Sequence, residues 1–104
     1  MHVKDKVCVV TGAASGIAEA VARAYAQAGA RGVVVADLKN SRDKLASVAG
    51  EIGGLAVAAD VAQESEIQAL IAAAETRFGP IDVFFSNAGL SRRDRRPLMM
   101  PTGT

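Results

Sequence analysis

The residues able to do chemistry are few, and they stand where apolar runs end. The first group is Gly12, Ser15 and Gly16, set in the turn Gly12-Ala13-Ala14-Ser15-Gly16. This small-residue turn separates an apolar run, Val7–Val10, from a helical pattern that opens at Ile17. A strand, a tight turn and a helix start aim unpaired backbone N–H groups and the positive end of a helix dipole at one point. An anion, above all a phosphate, is the natural occupant. A P-loop needs Lys and then Ser or Thr after its last glycine; here Ile17 and Ala18 follow Gly16, which excludes that class. The spacing G-x-G-x-x-G is absent as well, because three residues separate Gly12 from Gly16. A strand–turn–helix with no ligand is the alternative for the same residues. The second group is acidic. Asp37 and Asp60 each close an apolar run. Cys8, the only cysteine, lies inside the first run and reads as a small buried hydrophobe. His2, the only histidine, is expected to be inert, and no metal site is expected.

Four strands and three helices must position these groups. The apolar runs Val7–Val10, Val33–Ala36, Leu55–Ala59 and Ile81–Ser86 read as buried strands. Between them, Ile17, Val21, Ala22, Tyr25 and Ala28 fall on one helical face, with Gly29 as a stop. Asn40-Ser41 can cap a second helix that turns Leu45, Val48, Ala49 and Ile52 inward and stops at Gly53-Gly54. A third helix runs from about Gln63 to Phe78, with Ile67, Leu70, Ile71, Ala74 and Phe78 inward, and stops at Gly79-Pro80. Strands alternating with helices mean right-handed crossovers and an α/β fold. The expected architecture is an incomplete doubly wound, Rossmann-type parallel sheet of four strands in the order 3-2-1-4. The first two helices then lie on one face and the third on the other. Thr11, Asp37, Asp60 and Asn87 come to one edge of the sheet, where such folds bind ligands.

The spacing T-G-x-x-x-G-I, from Thr11 to Ile17, resembles the loop of the short-chain dehydrogenase/reductase family. That loop continues with Gly, where this chain has Ala18, and a methyl there narrows the room between helix, sheet and cofactor. Asp37 stands 21 residues beyond Gly16, where a dinucleotide fold places an acid to accept hydrogen bonds from the adenosine ribose. Its alternative role is a solvated turn residue or a helix cap. The resemblance implies an adenine contact for Asp60 and Val61, although an Asp ending a strand before a helix would look the same. It also matches Asn87-Ala88-Gly89 to a triplet in which Asn supports the sheet and the small residues admit the ribose side of the cofactor. Over residues 5–89 the resemblance therefore implies binding through Gly12, Ser15, Gly16, Ile17, Asp37, Asp60, Val61, Asn87, Ala88 and Gly89. The implied cofactor is NAD, preferred over NADP because Asp37 repels a 2′-phosphate.

The same resemblance implies hydride transfer between nicotinamide and an alcohol or carbonyl carbon. Its acid/base is a Tyr in a Tyr-x-x-x-Lys motif, which these 104 residues lack; their one tyrosine is Tyr25. No catalytic residue is therefore assigned. The expected reading is a fragment ending before the catalytic residues, with residues 1–89 a partial dinucleotide-binding domain and residues 90–104 an irregular basic tail. A truncated or frame-shifted product, a natural short form and a contact through the arginines compete as accounts of that tail. The alternatives for function are a non-catalytic NAD-binding module and a fragment that completes its sheet on another chain. Residues 1–89 carry eight Lys and Arg against ten Asp and Glu, which argues against nucleic acid. The tail holds four Arg against one Asp, and Pro97 and Pro101 discourage a helix there. No apolar run approaches a membrane span, and a cytoplasmic location is expected. The outer edge of the fourth strand is expected to lack a partner and to invite self-association.

Overall fold

The structure, a computed structural model, describes residues 3–14, 16–86 and 98–101. The β-branched run of β1 (Val7–Thr11) is buried along its whole length. It is followed by α1 (Gly16–Gln27), β2 (Gly32–Asp37), a short 3-10 turn (Lys39–Ser41), α2 (Arg42–Ile52), β3 (Leu55–Ala58), α3 (Glu64–Phe78), β4 (Val83–Ser86) and β5 (Leu98–Pro101). The sheet order is β3-β2-β1-β4-β5. β1 pairs in parallel with β2 and with β4, and β2 in parallel with β3. This is the expected 3-2-1-4 arrangement, built from three crossovers.

The pleat divides the core in two. Cys8, Val10, Val33, Val35, Val83 and Phe85 face α1 and α2, where Ala18, Ala22, Tyr25, Leu45, Val48 and Ala49 meet them. Val7, Val9, Val34 and Ala36 face α3 through Leu70 and Ala74. Burial of Cys8, with a smaller push from Asp82, raises its thiol to about 11, so it is a neutral hydrophobe. At the start of β4, the Asp82 carboxylate accepts the Val7 N–H at 2.9 Å and the Asp82 N–H donates to the Val7 carbonyl at 2.8 Å.

Three expectations are corrected. The phase of α1 differs: Ala18, Ala22 and Tyr25 are buried, whereas Ile17 and Ala28 are exposed. Ala18 takes the inward place expected of Ile17, while Ala22 and Tyr25 stay inward as expected and Val21 packs partly buried against the same core. Ser41 occupies the cap position of α2 but makes no side-chain cap bond. The third correction concerns the tail, which is not irregular throughout. Leu98–Pro101 pairs antiparallel with β4, from Ser86↔Leu98 to Val83↔Pro101. Proline breaks a helix, but an edge strand tolerates it because the missing N–H can face outward. The outer edge of β4, expected to lack a partner, is thus paired within the chain.

Two substitutions test the packing. The Tyr25 hydroxyl is buried without a hydrogen-bond partner among the described residues. Its desolvation, with a smaller contribution from Cys8, raises the phenol above its ordinary range. Removing an unpaired buried hydroxyl leaves no orphaned partner, so Tyr25→Phe should leave stability unchanged or raise it by about 1 kcal/mol, read by thermal melting. At Gly32 a β-carbon would overlap the ring of Phe78. Gly32→Ala should cost about 1–3 kcal/mol and lower the melting temperature measurably.

Candidate functional site

The site begins where β1 ends. Thr11 is buried, and its Oγ1 hydrogen-bonds to Ser86 Oγ at 3.3 Å, tying the ends of β1 and β4 together. Gly12 (φ 70°) and Gly16 (φ 42°) take left-handed conformations that bring the chain from strand to helix in a tight turn. Between them, the Ala13 N–H donates to the Ala36 carbonyl at 3.1 Å and the Ala14 N–H to Asp37 Oδ2 at 2.9 Å. The first amides of the turn are therefore spent on β2. Among the described residues, the N–H groups of the first turn of α1, from Gly16 onward, have no intrahelical carbonyl to bond and can meet an anion. A β-carbon on Gly16 would meet nothing within 4 Å, so the backbone there borders open space. Ala18 is fully buried in the core, and its methyl packs inward.

Glu19 lies in the first turn of α1, where a carboxylate competes with an incoming anion. Arg23 sits 2.9 Å and Lys44 3.2 Å from its carboxylate oxygens, and Arg23 also reaches Glu51 at 2.7 Å. Hydrogen bonds from Arg23 and then Lys44 hold the Glu19 carboxyl below its ordinary range. This cluster neutralises the acid and links α1 to α2.

Asp37 closes β2 half-buried. Its Oδ2 accepts the Ala14 N–H and its Oδ1 the Leu38 N–H at 2.7 Å. The Asp37 carbonyl accepts the Ala59 N–H at 2.8 Å, which aligns the end of β3. Asp60 follows. Its Oδ1 accepts the Ala62 N–H at 2.9 Å, while its own N–H donates to Glu66 Oε1 at 2.7 Å. Asp60 thus orders the entry to α3, a local role that the sequence left open, and Val61 beside it is half-buried. Ser15, Asn87, Ala88 and Gly89 lie outside the described residues.

Two further residues belong to this edge. Ile17 is 68% exposed and Leu38 46% exposed, the large exposed hydrophobics of the described chain. Leu38 had one signal in the sequence, an apolar residue directly after the strand-closing acid. Glu66 had none beyond its place in the first turn of a helix. Among the described residues no group of His, Cys, Asp and Glu could hold a metal ion. An open groove lined by Leu55, Ala72, Ala73, Thr76 and Arg77 lies by the first residue of β3 and the later turns of α3, apart from the site.

Comparisons with known proteins agree with this geometry. The chain is 45% identical to momilactone A synthase of Oryza sativa subsp. japonica over 89 residues, covering 83% of this chain and 31% of the relative. It is 44% identical to (+)-cis,cis-nepetalactol synthase of Nepeta racemosa over 90 residues, covering 84% and 33%. With the mitochondrial (-)-isopiperitenol/(-)-carveol dehydrogenase of Mentha piperita it shares 41% over 87 residues, covering 81% and 32%. The chain thus spans about a third of the length of these curated relatives. A crystal structure of 3-ketoacyl-(acyl-carrier-protein) reductase from Brucella melitensis complexed with NADH superimposes with a TM-score of 0.73 at 40% identity. That match covers 79% of this chain and 34% of the reductase. The family described as short chain dehydrogenase matches residues 6–100, so the likeness continues past Gly89, where the sequence reading ended it. The turn between Gly12 and Gly16, the parallel sheet and a family match over nearly all the sequence agree: this chain belongs to the short-chain dehydrogenase/reductase family.

Proposed function

We propose that these residues form the NAD-binding part of an NAD-dependent oxidoreductase that moves hydride between nicotinamide and an alcohol or carbonyl carbon. The observation that carries the reading is the Asp37 carboxylate, fixed at the end of β2 beside the turn that opens α1. The NADH bound to the Brucella melitensis reductase and the dehydrogenase named among the relatives support it. A bound nicotinamide dinucleotide supplies the hydride donor or acceptor. Gly12 shapes the turn, and Gly16 leaves room beside the backbone for a pyrophosphate. Gly16 and Ile17 meet that pyrophosphate at the helix start, and the family resemblance assigns Ser15 to it as well. The same resemblance assigns Asp60 and Val61 to the adenine, and Asn87, Ala88 and Gly89 to the cofactor's ribose side, where Asn87 supports the sheet and the small residues admit the cofactor.

Asp37 accepts the hydroxyls of the adenosine ribose. A 2′-phosphate there would face its carboxylate. Two unit charges about 4 Å apart at an effective dielectric of about 20 repel by roughly 4 kcal/mol before salt screening. The single tyrosine of these residues, Tyr25, has its hydroxyl buried in the core, so no proton-transfer step is assigned to it. Cofactor binding is the share of the reaction that these residues carry. Among the described residues no helix is long and apolar enough to cross a membrane. A cytoplasmic site of action suits the free, buried Cys8.

Titration calorimetry tests the cofactor choice. NAD should bind about tenfold or more tightly than NADP, and Asp37→Ala should narrow that gap. Equal or tighter binding of NADP by the unaltered chain would remove Asp37 from the ribose site.

A further inference from the structure

The Asp37 carboxylate does something that a ribose acceptor alone need not do. It is bonded to two backbone amides from two different segments. Leu38 is its neighbour in sequence, but Ala14 lies in the turn between β1 and α1, 23 residues away. The Ala13 and Ala14 amides both tie that turn to β2. The Ala13 N–H bond to the Ala36 carbonyl is backbone to backbone and survives any side-chain substitution. The Ala14 N–H bond does not survive the loss of Asp37.

We infer that Asp37 is a positioning residue for the phosphate turn as well as an acceptor for the ribose, so that both subsites share one anchor. The inference rests on the dinucleotide reading above. A carboxylate offers about four acceptor sites on its two oxygens. The two amides occupy one on each oxygen, which leaves one on each for the two ribose hydroxyls. The ribose therefore binds without breaking the tether. Ala14 stands two residues before Gly16, so the tether fixes the stretch of chain that delivers the first amides of α1 to the pyrophosphate. Hydrogen bonds to a charged acceptor are the stronger kind, and this one is half-buried. Losing it costs the ribose subsite its acceptor and frees the phosphate turn at the same time.

The test separates these two roles with a probe that has no ribose. In nuclear magnetic resonance of the full chain, inorganic pyrophosphate should shift the Gly16 and Ile17 amides, and Asp37→Ala should weaken that binding several-fold. Amide exchange at Ala14 should quicken about tenfold or more, while Val9 and Val34 in the core keep their protection. Unchanged Ala14 exchange would overturn the inference. So would unchanged pyrophosphate affinity in a variant whose affinity for adenosine diphosphate ribose falls. Should Asp37→Ala lose protection at Val9 and Val34, the unaltered chain decides the matter by a through-hydrogen-bond coupling between the Ala14 amide nitrogen and the Asp37 carboxylate carbon. That coupling is expected, and its absence overturns the tether. Failure of the unaltered chain to bind adenosine diphosphate ribose would instead overturn the dinucleotide reading, with Ala14 exchange still deciding the tether.

Discussion

The pairing of β1 on both sides is the constraint from which the site follows. Val7–Thr11 is buried throughout, so its backbone polar groups must find partners inside the sheet. β2 and β4 supply them, and their registers bring Ala36 and Ser86 opposite Thr11. β3 then aligns on β2, with Ala58 opposite Asp37. Four strand ends are brought into line by the backbone ladder, to which the Thr11–Ser86 side-chain bond adds. The side chains there need only be small or polar enough to stand at an edge. This separates two demands on the sequence: the strand interiors answer to burial, and the strand ends are free to answer to a ligand.

Much of this was legible because burial leaves a coarse signature. The runs Val7–Val10 and Val33–Ala36 could hardly be anything but strands; the order 3-2-1-4 is that of half a doubly wound sheet, and the handedness of crossovers then assigns each helix its face. The helix phase was harder. Successive helical residues differ by about 100°, so Ile17 and Ala18 cannot both point inward. Hydrophobicity favours Ile17, yet the fold buries Ala18 and leaves Ile17 exposed. The strand of Leu98–Pro101 was obscured by the prolines of the tail, Pro97 and Pro101, which speak against a helix and say little against an edge strand.

The polar details were legible only in part, for a different reason. Asp37 and Asp60 stood out as acids at strand ends, but their partners are set by register and turn shape. Ala14 meets Asp37 only because β1 and β2 pair with Thr11 opposite Ala36. Asp82 stands within the apolar run Ile81–Ser86, and its carboxylate takes the first amide of β1. Glu66 reaches back to the Asp60 amide in a similar way. Such bonds link residues whose separation in sequence carries no period, so no pattern in the chain announces them.

The exposure of Ile17 and Leu38 has a thermodynamic consequence. Both side chains border the carboxyl edge of the sheet, one on the first turn of α1 and one just past β2. Water ordered over such apolar surface raises the heat capacity of the ligand-free chain, and covering it reverses that change. A ligand lying across this edge from the turn to the end of β2 would therefore leave a negative heat-capacity change, although the groups that recognise it are charged and polar. The temperature dependence of binding enthalpy thus carries information about which residues the ligand covers, independent of how tightly it is held.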